Sequence, residues 1–517
     1  MRERYADAGL FADRPLWESV QAAGLARPDS PAVTDPAGTL TYAELYAAAA
    51  ERGAGFAEWL APGERVVLQL QNTVEFAVTL LGLLRAAVVP VMSLPAHRIA
   101  EIAHLAEASG AAGYVCEDTR PGVDYRELAA ELQSRVRGVR HVFVHGDPGP
   151  HSPLPSASDH TPATVDPDEP ALLLISGGTT GAPKLIPRTH NDYWYNAQCS
   201  IEATLLAPGD VYLTALPAAH NFPLCCPGVL GVLGVGGHVV FTENPSPDNT
   251  FGLIEKHGVT VTALVPALAQ LWTAARTWEP ADVSSLRLLQ VGGALLTESD
   301  ARAASVAFPG ALQQVFGMAE GLINATRIGD DDEILARTQG RPISAFDELR
   351  VVDEDGAAVA AGEPGELLTR GPYTIRGYYR AEAINRRGFS PDGFYRSGDR
   401  VRVRADGYIE YVSRLKETIV RGGENIAPDD IEEELLFHPA VREAAVIGLP
   451  DDALGERTCA VVVTSGTAPS LPELRTFLLG RGLARFKLPD RLESVSSLPY
   501  TAVGKVDRKA VKAGLLE

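Results

Sequence analysis

Short runs of consecutive apolar residues alternate along most of the chain with longer stretches whose apolar positions recur every three or four residues. ERVVLQL (64–70) precedes TVEFAVTLLGLLRAA (73–87), and VVPVMSL (88–94) follows. In the same way, GVTVTALVP (258–266) precedes ALAQLWTAART (267–277). The short runs predict buried strands, and the periodic stretches predict helices. Because the two alternate, the pattern predicts an α/β architecture with largely parallel strands.

The pattern changes in the last third of the chain. From about residue 340, short strands are separated by glycine-containing turns, as in GELLTRGPYTIRGYY (365–379), which predicts a small β-rich subdomain. After SRLKETIVRGGENI (413–426), the order helix, strand, strand, helix predicts a separate α+β domain of ordinary size. Residues 146–168 are rich in Pro, Ser and Asp, and we interpret them as an exposed connection between subdomains.

Length and charge narrow the classes of function. The chain has 517 residues, too many for one hydrophobic core, and a net charge of −20. The acidic surplus argues against nucleic acid and anionic lipid as partners, since both require a basic face. The five cysteines show no metal-ligand or disulfide spacing, which is typical of reduced thiols in a cytoplasmic protein. Arg85 and Pro90 interrupt the most apolar window, so we expect no membrane span.

One apolar run ends in the loop SGGTTGAPK (176–184), which combines three glycines, three hydroxyls and one lysine. A Walker A loop places its lysine directly after the last glycine, whereas Ala182 and Pro183 separate Gly181 from Lys184 here. The spacing therefore excludes a P-loop NTPase. Flexible backbone N–H groups, hydroxyls and an ammonium can still surround an anion. A plain glycine turn between strands is an equally acceptable interpretation.

Three further residues lie in segments suited to nucleotide chemistry. Glu320 in QQVFGMAEG is a candidate Mg²⁺ ligand beside phosphates, or a solvated residue at a helix start. Asp399 in GFYRSGDR is a candidate acceptor for ribose hydroxyls, or an ordinary aspartate of a tight turn. Lys505 in TAVGKVDRKA is a candidate catalytic cation, or a surface lysine. Each ordinary interpretation is the better one for its residue alone, but the motifs together favour a nucleotide site.

These motifs resemble those of the adenylate-forming superfamily, which includes acyl-CoA synthetases, nonribosomal peptide adenylation domains and luciferase-like enzymes. The resemblance covers nearly the whole chain and is closest to stand-alone aryl-acid adenylating enzymes of the 2,3-dihydroxybenzoate–AMP or salicylate–AMP ligase type. The segments that carry it are IPRTHNDY, HNFPL, PGVLGVL, FGMAEGL and TRGPYTIRGYY. It implies an N-terminal domain, residues 1–414, of two parallel-type α/β subdomains and a small β-rich subdomain. It also implies a small mobile α+β lid domain, residues 415–517, with a hinge near Lys416.

The resemblance implies a ligase that joins an aromatic acid to AMP from ATP, with release of pyrophosphate, and then transfers the acyl group to a phosphopantetheine thiol of an aryl carrier protein. Lys505 is implied to bridge the attacking carboxylate and the α-phosphate, and Glu320 to hold Mg²⁺. Asp399 is implied to anchor the ribose with help from Arg414. The residues implied to contact ATP are Ser176, Gly177, Gly178, Thr179, Thr180, Gly181, Lys184, Gly293, Val315, Glu320, Asp399, Arg414 and Lys505.

For the thiol transfer, the resemblance implies that the lid domain turns about Lys416 and withdraws Lys505. Gly422 and Gly423 are then implied to face the pantetheine arm, whereas a hairpin turn is the ordinary interpretation of this pair. Ala319 departs from the wider superfamily pattern, because many members have a threonine before the metal-binding glutamate. The aryl-acid branch shares FGMAEG, so we expect activity to be retained.

The segment AAHNFPLCCPG (218–228) is implied to line the acid site. Amino-acid-activating relatives have aspartate at the position of Asn221, where it pairs with the substrate ammonium, so a neutral amide indicates an acid without an α-amine. His220 is implied to be a catalytic residue beside the carboxylate, or is a satisfied loop histidine. Phe222 is implied to stack on the ring, or belongs to the ordinary core. The residues implied to contact the acid are Asn221, Phe222, Cys226, Gly292, Val315 and Ile323.

Cys226 and Ile323 bear on the choice of acid, since enzymes for 2,3-dihydroxybenzoate tend to have Ser and Val at these positions. A thiol is a poor partner for a 3-hydroxyl, and isoleucine takes more room, so salicylate or a close 2-hydroxybenzoate is favoured over 2,3-dihydroxybenzoate. An aryl-CoA ligase that uses coenzyme A is an alternative. From other classes, the alternatives are a luciferase-like monooxygenase and a non-catalytic interaction homologue. We expect a monomer or homodimer.

Overall fold

A computed structural model describes residues 2–157, 161, 163–176, 183–353, 355–414, 419–426, 428–499, 506 and 508–516. They belong to two compact units. The first contains the described residues of Met1–Pro95, Leu105–Ser176 and Leu185–Ser413, and the second those of Ala96–His104, Gly177–Lys184 and Arg414–Glu517. The predicted hinge residue Lys416 lies outside the described residues. The assignment of the sites to domain 1–414 and of the lid to domain 415–517 stays a prediction.

The elements alternate along the chain as the apolar pattern predicts. The described helices are α1 (Arg2–Asp7), α2 (Leu16–Gln21), α3 (Tyr42–Trp59), α4 (Val74–Arg85), α5 (Ile99–Ser109), α6 (Tyr125–Arg135), α7 (His190–Thr204), α8 (Asn221–Cys225), α9 (Gly228–Val235), α10 (Pro247–His257), α11 (Pro266–Ala275), α12 (Glu298–Ala307), α13 (Asp332–Arg337), α14 (Glu382–Gly388), α15 (Pro428–Leu435), α16 (Leu471–Gly480) and α17 (Arg508–Leu516). Short 3₁₀ turns lie at Gly24–Ala26 and Arg485–Lys487.

The strands fall into sheets that the sequence order alone does not reveal. The described strands are β1 (Pro31–Asp35), β2 (Gly38–Thr41), β3 (Arg65–Leu68), β4 (Val89–Met92), β5 (Gly113–Glu117), β6 (Thr119–Arg120), β7 (Val123–Asp124), β8 (His141–His145), β9 (Ser152–Pro153), β10 (Pro170–Ile175), β11 (Leu185–Thr189), β12 (Val211–Thr214), β13 (His238–Phe241), β14 (Val261–Leu264), β15 (Leu288–Gly292), β16 (Leu312–Gly317), β17 (Ile323–Ala325), β18 (Arg341–Pro342), β19 (Glu348–Val352), β20 (Gly365–Arg370), β21 (Tyr395–Val403), β22 (Ile409–Arg414), β23 (Ile419–Arg421), β24 (Glu424–Ile426), β25 (Val441–Asp451), β26 (Gly455–Thr464) and β27 (Arg491–Val495).

The largest sheet of the first unit has the order β18–β17–β16–β15–β14–β12–β13–β1–β2. Its central strands, β1 and β12 to β16, pair in parallel, and antiparallel strands flank them. Every residue of β14 and β15 is buried, as expected of parallel strands that are covered on both faces. The parallel arrangement brings the carboxyl ends of β12, β14, β15 and β16 to one edge of the sheet.

The second sheet has the order β11–β10–β4–β3–β5–β8–β9. Its neighbouring strands pair in parallel, except that β10 and β11 pair with each other in the antiparallel sense. Strand β9 lies at the edge of this sheet and within residues 146–168, so the connection predicted to be exposed includes an edge strand. A third sheet, β19–β20–β21–β22, forms the β-rich subdomain. The prediction of an α/β unit with two parallel-type sheets and a small β-rich subdomain is confirmed.

The second unit is a small α+β structure, as predicted. Its sheet has the order β24–β23–β26–β25, and β27 pairs in parallel with β26. Gly422 and Gly423 form the two-residue turn between β23 and β24, with φ angles of 57° and 87°. Positive φ at both positions is what such a tight hairpin turn requires. The pair therefore has a conformational role, and its implied contact with a pantetheine arm stays a prediction.

A single amide joins the two large sheets near the candidate site. Asn72 follows β3 of the second sheet, and its Nδ2 donates to the backbone oxygens of Thr214, Leu216 and Thr242 at 3.0, 2.8 and 3.0 Å. Its Oδ1 accepts from the backbone N–H of Ala218 at 2.7 Å. Since Thr214 ends β12 and Thr242 follows β13, the side chain of Asn72 fixes the loop that leads from β12 to α8.

The most apolar part of the sequence is built into the core of the first unit. It forms α4, most of which is buried, and the fully buried strand β4. Within the described part of the chain, no helix combines the length and the apolar character that crossing a membrane requires.

Candidate active site

Strands β15, β16 and β17 and helix α8 bring the predicted acid-binding residues together. Gly292 ends β15 and pairs with Val315 of β16. A methyl carbon on Gly292 would lie 2.6 Å from the Val315 carbonyl oxygen and 3.3 Å from Cε1 of Phe222. Glycine thus lets the phenyl ring approach the sheet closely. Ile323 begins β17 and pairs with Gly317 of β16. The cluster lies at the carboxyl ends of parallel strands, where α/β folds bind ligands.

Asn221 is the polar residue of this cluster. It is the first residue of α8 and is 8% exposed. The hydroxyl of Tyr193, on α7, donates to its Oδ1 at 2.9 Å. Its Nδ2 lies 3.6 Å from Sγ of Cys226, and that thiol lies 3.5 Å from the Asn221 carbonyl oxygen. The polar group that the predicted acid site contains here is therefore a neutral amide.

His220 is the residue that caps α8. Its Nδ1 accepts a long hydrogen bond, 3.4 Å, from the backbone N–H of Phe222, which satisfies a donor at the start of the helix. The side chain is exposed, yet the surrounding protein reduces its solvation and lowers its pKa, so the ring is neutral at pH 7. The cap supports the satisfied loop histidine, and the catalytic role of His220 stays a prediction.

The adjacent thiols of Cys225 and Cys226 are buried and free. Burial raises the pKa of Cys226 to about 12 and raises that of Cys225 well above its ordinary value. Both groups are therefore thiols at neutral pH, and neither is suited to act as a nucleophile. Cys226 contributes shape and a weak sulfur contact to the cluster of predicted acid-binding residues.

Glu320 lies in the turn between β16 and β17 and is 8% exposed, so its interpretation as a solvated residue at a helix start is wrong. The hydroxyl of Tyr378 donates to its Oε1 at 2.8 Å, and the hydroxyl of Tyr395 lies 2.9 Å from that of Tyr378. Among the described residues, no cationic side chain pairs with this carboxylate. A buried carboxylate without a cation is unfavourable by itself, so Glu320 fits a site that a divalent cation completes.

The surroundings of Glu320 suit Mg²⁺ that arrives with a nucleotide. Over the described part of the chain, no three His, Cys, Asp or Glu side chains group into a metal cage. Mg²⁺ usually keeps waters and substrate phosphates as ligands and takes only one or two carboxylates. One buried carboxylate, held through one of its oxygens, is sufficient for that mode of binding.

Asp399 is 5% exposed and lies within β21, whereas the sequence predicts a tight turn. The preceding Gly398 has a φ of 72°. The pairing of β20 with β21 also shifts register between Glu366 and Leu368. The irregularity therefore places the carboxylate without reversing the chain. The ribose contact of Asp399 stays a prediction.

The other predicted ATP contacts are described only in part. Ser176 follows β10 and is buried, Lys184 is half-buried, and Gly293 follows β15 with a φ of 86°. The predicted residues that lie outside the described part of the chain are Gly177, Gly178, Thr179, Thr180, Gly181, Lys416 and Lys505, together with the side chain of Arg414. All of these contacts stay predictions.

Three residues of the segments IPRTHNDY and TRGPYTIRGYY, for which the sequence implies no individual role, lie beside predicted site residues: Arg188, Tyr193 and Tyr378. Arg188 is fully buried, pairs with Asp192 at 2.8 Å and donates to the backbone oxygen of Ala319 at 3.0 Å. Its guanidinium carbon lies 4.7 Å from the ring centroid of Tyr193. The sequence signal that could have indicated Tyr193 is the polar composition of α7, most of whose residues are buried in the structure. Buried polar groups need partners, but the sequence does not say which.

Comparisons with known proteins agree with this geometry. The family described as AMP-binding enzyme matches residues 20–379, and the AMP-binding enzyme C-terminal domain matches residues 430–505. The salicyl-AMP ligase / salicyl-S-ArCP synthetase of Mycobacterium tuberculosis is 52% identical, over 98% of this chain and 92% of its own. The 2,3-dihydroxybenzoate-AMP ligase of Bacillus subtilis is 45% identical, over 100% of this chain and 96% of its own. The apo structure of MbtA from Mycobacterium smegmatis has a TM-score of 0.77 at 54% identity and covers 99% of this chain and 97% of that one.

The family match spans most of the first unit, and the relatives align with nearly the whole chain. The resemblance inferred from the loop and carboxylate motifs is therefore confirmed. The chain belongs to the AMP-binding enzyme family.

Proposed function

We propose that this chain is an aryl acid–AMP ligase that activates a 2-hydroxybenzoate, with salicylate favoured, and transfers it to the phosphopantetheine thiol of an aryl carrier protein. The two relatives support this, since one is named for salicyl-AMP and salicyl-S-ArCP and the other for 2,3-dihydroxybenzoate-AMP. One observation carries the proposal: the buried polar group in the apolar cluster is the neutral amide of Asn221. An amino acid substrate would need a carboxylate at that place.

The reaction has two steps because a carboxylate has no adequate leaving group of its own. A carboxylate oxygen of the acid first bonds to the α-phosphorus of ATP, and the bond from that phosphorus to the bridging oxygen breaks, so pyrophosphate leaves. The thiol sulfur then bonds to the acyl carbon, AMP leaves with the bonding electrons, and the thiol proton passes to solvent. Because two anions meet in the first step, alignment and charge neutralisation dominate catalysis.

The proposed roles of the residues follow from their charges. Lys505 places a cation between the acid carboxylate and the α-phosphate, and Asp399 holds the ribose. Glu320, whose Oε1 accepts from Tyr378, would hold Mg²⁺. When bound, Mg²⁺ supplies charge neutralisation at the phosphates. Since Tyr378 and Glu320 are both buried, little solvent competes for this carboxylate.

The composition of the acid site supports salicylate over 2,3-dihydroxybenzoate. Phe222, Val315 and Ile323 offer apolar surface to the ring. Cys226 stands where a serine would bond a 3-hydroxyl, and sulfur is a weak hydrogen-bonding partner. A 3-hydroxyl left without a partner would lose about 1–3 kcal/mol of binding free energy. The acid that matches the site has a 2-hydroxyl and no 3-hydroxyl.

ATP–pyrophosphate exchange across a panel of acids tests the activation step. The panel contains benzoate, salicylate, 2,3-dihydroxybenzoate, phenylalanine and a fatty acid. We expect the highest kcat/KM for salicylate. An Asn221→Asp variant should lose exchange with salicylate, because its carboxylate would repel that of the acid. Exchange with phenylalanine or the fatty acid, but with no hydroxybenzoate, would overturn the proposal.

The acceptor is tested separately, with salicyl-AMP formed on the enzyme. A carrier protein bearing phosphopantetheine should accept the salicyl group as a thioester, and the same carrier without the prosthetic group is the matched control. Free coenzyme A is the competing acceptor. Faster transfer to coenzyme A than to the carrier would replace the carrier in the proposal by an aryl-CoA ligase activity.

A further inference from the structure

The hydroxyl of Tyr193 donates to one lone pair of the side-chain oxygen of Asn221. Tyr193 is 0% exposed, and burial raises its pKa well above the ordinary value, so the hydroxyl keeps its proton. That proton is donated to Asn221 Oδ1 at 2.9 Å. A buried hydroxyl proton without an acceptor is unfavourable. The amide is therefore held with its oxygen toward the tyrosine.

The ring of Tyr193 is fixed by its neighbours. The guanidinium carbon of Arg188 lies 4.7 Å from the ring centroid. Arg188 is itself held by Asp192 at 2.8 Å and by the Ala319 carbonyl oxygen at 3.0 Å. Cys225 Sγ lies 3.5 Å from the carbonyl oxygen of Tyr193 and fixes the backbone. The hydroxyl is thus a rigid donor.

Both N–H donors of the Asn221 side chain lie on Nδ2. Among the described residues, its partner is the weakly accepting sulfur of Cys226 at 3.6 Å. The Cys226 thiol is directed at the Asn221 carbonyl oxygen at 3.5 Å. Turning the amide over would put Nδ2 at Tyr193 and leave the tyrosine proton without an acceptor. The orientation of the amide is therefore fixed, with its N–H donors turned away from the tyrosine.

We propose that Tyr193 is a positioning residue for the acid site. Through Asn221, it makes the site select substrates whose substituent ortho to the carboxylate accepts a hydrogen bond, and reject those whose ortho substituent donates one. This inference rests on the proposed function. In ionised salicylate, the phenolic proton bonds to the molecule's own carboxylate, so the oxygen presents lone pairs to Asn221. In 2-aminobenzoate, one N–H bonds to the carboxylate and the second points outward, while the nitrogen lone pair is delocalised into the ring. The ortho amine would set a donor against the Nδ2 donors.

Exchange kinetics with salicylate and 2-aminobenzoate test this selection in the wild type and in Tyr193→Phe. We expect the wild type to favour salicylate in kcat/KM, and Tyr193→Phe to lower that preference by on the order of tenfold. The reason is that the freed amide can turn and accept from the amine. A general loss of folding would lower both values together and leave their ratio unchanged. The matched control is Tyr195→Phe on the same helix, whose hydroxyl lies 2.9 Å from that of Ser344; it should keep the wild-type ratio.

The outcomes separate this inference from the proposed function. Exchange with salicylate and an unchanged ratio in Tyr193→Phe overturns the inference alone. Wild-type preference for 2-aminobenzoate also overturns it, and that measurement does not depend on the variant being folded. Exchange with no benzoate at all overturns the proposed function, and this inference falls with it.

Discussion

The hydrogen bond from Tyr378 to Glu320 predicts how much Mg²⁺ the enzyme requires. Tyr378→Phe removes one oxygen and keeps a ring that is 4% exposed. The lost bond, 2.8 Å long, reaches a charged acceptor, and such bonds contribute about 1.5–3 kcal/mol. Because Tyr395 lies 2.9 Å from the Tyr378 hydroxyl, it can compensate in part, so we expect about 1.5–2 kcal/mol. This corresponds to about 10–30-fold.

The assay is pyrophosphate exchange as a function of Mg²⁺ concentration at saturating ATP and acid. The concentration of Mg²⁺ for half-maximal rate should rise about 10–30-fold, because the carboxylate is no longer held in place. Electron paramagnetic resonance of Mn²⁺ with a non-hydrolysable ATP analogue measures the same loss without turnover. Tyr379→Phe is the control, since its ring lies 5.1 Å from the Arg380 guanidinium carbon and the substitution keeps this contact.

A folded Tyr378→Phe variant with the wild-type Mg²⁺ and Mn²⁺ dependence would refute this role of the hydrogen bond. A uniform fall in rate, with no change in metal requirement, would refute it as well, because it would assign the bond to general stability.

Three further predictions follow from the site and its surroundings. Lys505→Ala should lower exchange by about 10²–10³ but leave transfer from supplied salicyl-AMP near the wild-type rate; equal loss in both steps would contradict its role. Cys226→Ser should shift the preference between acids about tenfold toward 2,3-dihydroxybenzoate and away from salicylate, measured as the ratio of their kcat/KM values, and an unchanged ratio would remove the argument for salicylate. Burial raises the pKa of Asp347 to about 7. Between about pH 4 and pH 7 the folded state therefore keeps a proton that the unfolded chain has released, so the free energy of unfolding falls as the pH rises through this range. Asp347→Asn should therefore stabilise the protein by about 1–2 kcal/mol at pH 8, since the residue is partly exposed, and by less at pH 5; equal gains in urea unfolding at both pH values would count against it.

The strands of the parallel sheets could be predicted because burial on both faces leaves them as continuous apolar runs. Their pairing could not be predicted. β1, near the start of the chain, pairs with β13, where Val33 is opposite Val239. Such pairing depends on the packing of helices between the strands and leaves no local pattern in the sequence. The irregular strand around Asp399 has the same local composition as a turn, which explains why the sequence predicts a turn there.

The residues of the candidate site could be predicted from the sequence where they belong to a recognisable motif, as do Asn221, Phe222 and Glu320. The hydrogen-bond partners of Asn221 and Glu320 could not be predicted. Tyr193 and Asn221 are 28 positions apart, and Tyr378 and Glu320 are 58 apart. The hydrogen bonds between them follow from the fold, and either tyrosine taken alone is an ordinary apolar core residue.

The amide of Asn72 matters for anyone who wishes to re-engineer the acid preference. It accepts a hydrogen bond from the backbone at Ala218, two positions before His220. Asn72 itself is not one of the residues predicted to contact the ring of the acid. Libraries that randomise Phe222, Cys226 or Ile323 therefore leave this anchorage untouched and can change the accepted acid on an unaltered scaffold. Asn72→Asp, in contrast, would turn a carboxylate toward three carbonyl oxygens and disable the enzyme for every acid in the library alike.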